Sequence, residues 1–182
     1  MPNVYYLTGM SGRLDTGLGQ ALKSRGLDIS GRELVGEFRK LDFSQQVDLV
    51  ADDLQANFWH EDARVIANSF GAYLFLHAQA QMQPYIGNVI LLSPIVGEFS
   101  NEDTRMNFIP PRSDKLLQLA KMGNFPIPKH CQVHVGSEDW QSNPVNVLAF
   151  GSMLGIPVAV VKNAGHMLPK EYVGNLLDKW FS

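Results

Sequence analysis

Ser69 lies in the stretch Val65-Ile66-Ala67-Asn68-Ser69-Phe70-Gly71-Ala72, where a short apolar run breaks into a segment of helical period. Small residues stand two before it and two after it. A sharp strand-to-helix turn of this kind holds its central residue in a strained conformation and pushes that side chain outward. Small neighbours let the strand and helix backbones pass closely. A serine hydroxyl presented in this way becomes a nucleophile once a base takes its proton. The Phe70 N–H, at the start of the helix, would face an oxyanion forming beside the serine. A serine at a helix start is equally placed to cap it, so this segment alone leaves both roles open.

Two later stretches supply partners. Val135-Gly136-Ser137-Glu138-Asp139 puts carboxylates just beyond one apolar run, and Asn163-Ala164-Gly165-His166-Met167-Leu168-Pro169 puts a histidine beyond another. In open α/β sheets, ligands bind outside the carboxyl ends of the strands, and Ser69, Asp139 and His166 all fall on that edge. His166 would take the serine proton and return it to the leaving group. Asp139 would hold the imidazole in its working tautomer and stabilise the cation. This chemistry calls for no metal or cofactor.

The elements that must position these residues alternate along the chain. Strands are predicted at Val4–Leu7, Glu33–Phe38, Arg64–Ala67, Val89–Leu92, Cys131–Val135 and Val158–Val161. Helical spacing runs from Leu18 to Gly26, from Gln46 to Phe58, and from near Phe70 through Ala78. It recurs over Lys115–Lys121, Val145–Leu154 and Tyr172–Trp180. A polar, proline-containing excursion separates Ser93 from Pro111. Near-continuous apolar strands are buried on both faces, the mark of a parallel sheet covered by crossover helices. A three-layer α/β/α architecture follows.

From its first strand to its last helix the chain resembles the α/β-hydrolase superfamily. The superfamily's nucleophile elbow reads G-x-S-x-G, with Ala67 here at the first glycine, and its triad follows the order Ser…Asp…His. The resemblance implies a reduced core of six parallel strands in the order 2-1-3-4-5-6, lacking the first two antiparallel strands. It further implies a small, lidless serine hydrolase acting on an ester, thioester or amide, a carboxylesterase above all. Gly136-x-x-Asp139 matches the superfamily's acid loop, which favours Asp139 over Glu138; the shorter aspartate also loses less rotamer freedom when held. Some members take the acid from the loop after the fourth strand, which keeps Glu98, Glu102 and Asp103 as alternatives. Thr8-Gly9-Met10 stands where the superfamily has His-Gly-x, making the Met10 N–H the second oxyanion donor. Gly9 and Gly12 also suit a plain tight turn. A rival of another class is a non-catalytic interaction protein that keeps the fold.

Other functions find little support. The 182 residues suit one domain, 1–182, and 45% hydrophobic with 18% charged residues is ordinary for a folded protein. A net charge of −3 with no basic stripe argues against nucleic acid. The single Cys131 excludes an intrachain disulfide and reads as a buried thiol. Met1-Pro2-Asn3-Val4 lacks the features of a signal peptide, and no apolar run is long enough to span a bilayer. A cytoplasmic enzyme with a small acyl substrate is the expectation. Gly12 to Gly17 has phosphate-loop spacing, but Leu18-Gly19 stands where Lys-Ser/Thr is needed; Leu22 likewise breaks a dinucleotide fingerprint. His130 and His134, four residues apart on a strand, would be roughly 13 Å apart, too far to share an ion. His60 and His77 read as solvated or structural. Phe99, Met106 and Phe108 either line an acyl pocket or pin the long loop to the body.

Overall fold

The computed structural model describes residues 3–182; Met1 and Pro2, on which the reading of the N-terminal segment partly rests, lie outside the described residues. Six parallel strands form one sheet: β1 (Asn3–Met10), β2 (Asp28–Leu34), β3 (Arg64–Asn68), β4 (Asn88–Leu92), β7 (His130–Gly136) and β8 (Val158–Val161). Their spatial order is β2-β1-β3-β4-β7-β8. Two short strands, β5 (Phe99–Asn101) and β6 (Met106–Phe108), form a separate antiparallel hairpin within the excursion. With the hairpin set aside, the sheet runs in the expected order.

Side-chain alternation along the central strands builds two cores. Tyr5, Leu7, Val65, Ala67, Val89 and Leu91 face the larger one, together with buried residues of α3 (Phe43–Asn57), α4 (Phe70–Gln79), α5 (Lys115–Lys121) and α6 (Pro144–Leu154). Val4, Tyr6, Ile66, Ile90 and Leu92 face the other way, against α1 (Leu18–Lys23) and α7 (Lys170–Phe181). Successive residues of a strand point to opposite faces, so each apolar run feeds both layers. The helices start on recognisable chemistry. Asp42 and Gln45 form a reciprocal capping box at α3. Asn143 accepts from the Val145 and Asn146 N–H groups ahead of α6, whose first residue is Pro144.

The second strand is displaced from its expected place at Glu33–Phe38. It spans Asp28–Leu34, and a short helix, α2 (Gly36–Lys40), occupies the rest. The reason is its edge position: it needs few apolar residues and is held by polar contacts. Arg32 donates from Nε and Nη2 to the two carboxylate oxygens of Asp53, at 2.7 and 2.8 Å, and the Tyr5 hydroxyl donates to the same group at 2.6 Å. Gly31 adopts φ +148°, and any Cβ there would lie 1.8 Å from the Tyr6 carbonyl oxygen. A glycine inside a strand therefore marks a close backbone approach here.

The α4 helix is buried along its whole length. It carries His77, 1% exposed, edge-on to Tyr73 and Phe43, with neither ring nitrogen hydrogen-bonded among the described residues. Burial, aided by the nearby Arg112 and Lys115 cations, pushes His77 down from 6.5 to about 3. Between these values the unfolded chain holds a proton that the folded chain refuses, so this residue costs stability as pH falls from 6.5 towards 3. His77→Leu is expected to flatten the acid slope by up to about 1.4 kcal/mol per pH unit. Urea midpoints of both proteins across mildly acidic pH check this, and parallel slopes would contradict it.

Candidate active site

The turn from β3 into α4 places Ser69 at the carboxyl edge of the sheet, with φ 54° and ψ −117°. A non-glycine residue at positive φ is strained and persists only where its surroundings enforce it. Here the backbone enforces it. Ser69 donates its N–H to the Leu92 carbonyl at 2.9 Å, while its own carbonyl accepts from Ala72, Tyr73 and Ile95. Although Ser69 precedes the helix, its hydroxyl makes no capping bond. Its Oγ lies instead 2.7 Å from His166 Nε2.

Gly71 explains the small residue two after the serine. A Cβ at that position would lie 2.4 Å from the Thr8 carbonyl oxygen and 2.6 Å from that of Leu7. Ala67, in contrast, buries its methyl in the larger core without displacing the turn. Gly71→Ala is expected to destabilise the protein by about 1–3 kcal/mol, as over-packing does. Chemical denaturation measures this, and an unchanged midpoint would contradict the close approach.

His166 is held between its two partners. Its Nδ1 lies 2.9 Å from Asp139 Oδ2 and 3.0 Å from Oδ1. The Asp139 side chain is fully buried, whereas that of His166 is 24% exposed. Oδ1 also accepts from the Gln141 and Ser142 N–H groups at 3.0 and 2.8 Å. The Ser142 hydroxyl in turn donates to the Pro94 carbonyl, tying the acid loop to the loop after β4. The acid and histidine loops are stapled together as well. Glu138 donates its N–H to Ala164, Ser137 donates its N–H to Val161, and the Asn163 N–H reaches Ser137 Oγ. Sequence reasoning missed Ser142; the signal available was Asp139-x-x-Ser142, a spacing in which aspartate folds back onto the following N–H groups.

Of the other carboxylates, Glu138 is exposed. Glu98 lies with Phe99, Asn107 and Trp140 beside the hairpin, while Glu102 and Asp103 sit exposed at its tip. The structure brings Asp139 alone of these to His166 Nδ1. Of the three hairpin side chains, Phe99 reaches the body, meeting Trp140 at 5.6 Å, while Phe108 lies tilted against Phe99 at 5.1 Å and Phe108 and Met106 are exposed. His134 binds the Tyr172 hydroxyl through Nδ1 and the Gln132 amide oxygen through Nε2, so both its nitrogens are occupied by protein. Cys131 is partly buried, and burial pushes its thiol up to about 12, which disfavours the reactive thiolate.

The first strand runs further than its apolar run implied, through Thr8 and Gly9 to Met10, with a shift of register between Leu7 and Met10. Thr8 accepts from the Leu34 N–H and donates to the Gly12 carbonyl, which fixes the turn. The turn passes beside the serine: a Cβ on Gly9 would lie 3.3 Å from Ser69 Cβ. Ser93, unnoticed in the sequence, flanks the site after β4 at φ 46°, and its buried Oγ has no hydrogen-bond partner among the described residues.

No family model matches the chain, and no curated protein matches it in sequence. Solved structures, however, are similar over nearly all of it. The ydeN gene product from B. subtilis is 15% identical with a TM-score of 0.68, the match covering 100% of this chain and 99% of that one. Carboxylesterase CesB (YbfK) from Bacillus subtilis is 13% identical with a TM-score of 0.68, covering 99% and 83%. Alpha/beta hydrolase domain-containing protein 10 from mouse is 14% identical with a TM-score of 0.68, covering 99% and 89%. The chain has the α/β-hydrolase fold in a reduced, six-stranded form.

Proposed function

We propose that this protein is a serine hydrolase, most simply a small carboxylesterase, in which Ser69 is the nucleophile, His166 the base and Asp139 the orienting acid. The observation that carries this reading is the continuous chain from Ser69 Oγ to His166 Nε2 at 2.7 Å and from His166 Nδ1 to Asp139 at 2.9 Å. His166 takes the hydroxyl proton as Ser69 attacks the carbonyl, and Asp139 stabilises the resulting imidazolium. The tetrahedral intermediate collapses as His166 protonates the leaving group. Water, activated by the same histidine, then clears the acyl-enzyme.

Two N–H groups are assigned to the oxyanion. That of Phe70 stands at the first helical position of α4, where no acceptor exists within the helix. That of Met10 is supported by the closeness of its neighbour to the serine, since a Cβ on Gly9 would lie 3.3 Å from Ser69 Cβ. The similarity to a named carboxylesterase at 13% identity agrees with this reading. Release of p-nitrophenol from p-nitrophenyl acetate tests it, with a pre-steady-state burst expected as the acyl-enzyme accumulates. A folded protein inert towards a panel of acyl esters would point to the non-catalytic alternative.

A further inference from the structure

Six strands spaced about 4.8 Å apart make a sheet some 24 Å wide, whereas two helices of about 10 Å each cover about 20 Å. On one face of this sheet the cover consists of α1 and α7, and α1 has only six residues. A cleft of about 860 Å³ opens at Ser69 and His166 and is lined by residues of both helices. This lies towards the upper end of the range for sites that bury small molecules. Its inner walls are apolar at Leu18 and Ala21 from α1 and at Val173 from α7, while the exposed, charged Arg13, Arg25 and Lys170 border it as well. The hairpin after β4 lies elsewhere and contributes nothing to this lining.

We propose that the substrate carries a long, unbranched apolar arm on its scissile ester, and that this arm lies in the cleft between α1 and α7. The inference rests on the serine-hydrolase reading and deepens it to a substrate class. The cleft meets both sides of the reacting centre, since Gly9 and Met10 of the first turn and His166 of the leaving-group side all border it. The arm therefore belongs to either the acyl or the alcohol half of the ester. A linear chain suits the space because it follows a groove between helices, and its burial there removes apolar surface from water on both partners.

Two substrate series separate the halves: p-nitrophenyl esters from acetyl to octanoyl, and acetate esters from ethyl to octyl. Each fully buried methylene is worth about fourfold in binding, and a cleft open along one side realises part of that. In one series kcat/KM is therefore expected to rise on the order of 100-fold from shortest to longest. Ala21→Trp and Val173→Trp fill the cleft from opposite walls. Each is expected to lower the ratio of long-chain to short-chain kcat/KM at least about 10-fold, with folding checked by circular dichroism melts. The second variant serves if the first fails to fold, and the wild-type series decides on its own if neither does. Flat chain-length profiles in both series, or ratios unchanged in the folded variants, would overturn the assignment. A wild-type protein whose Ser69 takes a fluorophosphonate label but shows flat profiles sinks only this inference. One that takes no label and turns over no ester sinks the hydrolase reading as well.

Discussion

Ser69→Ala is expected to lower kcat on a confirmed ester by on the order of 10⁴ to 10⁶ while leaving the fold intact. In the proposed mechanism the size follows from what the hydroxyl does, because without it no acyl-enzyme would form and only binding and the oxyanion donors would remain. Folding is spared because the Ser69 hydroxyl caps nothing and bonds only to His166. Alanine keeps the Cβ that the positive φ already accommodates. Turnover of a p-nitrophenyl ester, with a melting curve beside it, measures both halves. A folded variant of near-normal activity would remove Ser69 from the mechanism.

Asp139→Asn is expected to lower kcat by roughly 10³ to 10⁴. The carboxylate accepts from Gln141, Ser142 and His166 and donates nothing. An asparagine keeps one oxygen for the two backbone N–H groups, which turns its amide N–H towards His166 Nδ1. The ring must then carry its own proton on Nε2, facing Ser69, and cannot receive another there. Glu138→Gln, at an exposed neighbour, is expected to change kcat by no more than a few-fold. If the two variants exchange these outcomes, the acid is misassigned while Ser69 and His166 stand.

The sequence made the buried elements legible and left the polar ones obscure. Val65–Ala67 and Val89–Leu92 are apolar at every position because both faces of those strands are covered, and their places are as expected. Strand β2 is fastened by Arg32, Asp53 and Gly31 rather than by an apolar run, so its hydrophobic signal falls in the wrong place. The hairpin of β5 and β6 is similarly hidden: its strands have three residues each and are largely exposed, too short to show a period.

The three candidate catalytic residues stand out because each follows an apolar strand at the same edge, a property of chain order and not of packing; the last of these strands, β8, is only partly covered. Their supports do not. Ser142 fastens Asp139 through a backbone N–H and a hydroxyl contact to Pro94, neither of which leaves a pattern in composition. The cleft between α1 and α7 was invisible for a further reason. It is lined by residues from β1, β4, α1, α7 and the loops after β3 and β8, and only the assembled layers bring these together.

The central claim is that Ser69 is the nucleophile activated by His166. Peptide mapping by mass spectrometry after treatment with a fluorophosphonate tests it most directly. The predicted result is one adduct, on the peptide containing Ser69, absent from Ser69→Ala and formed far more slowly in His166→Ala. No adduct on the folded wild-type protein, or one on a different serine such as Ser93, would contradict it.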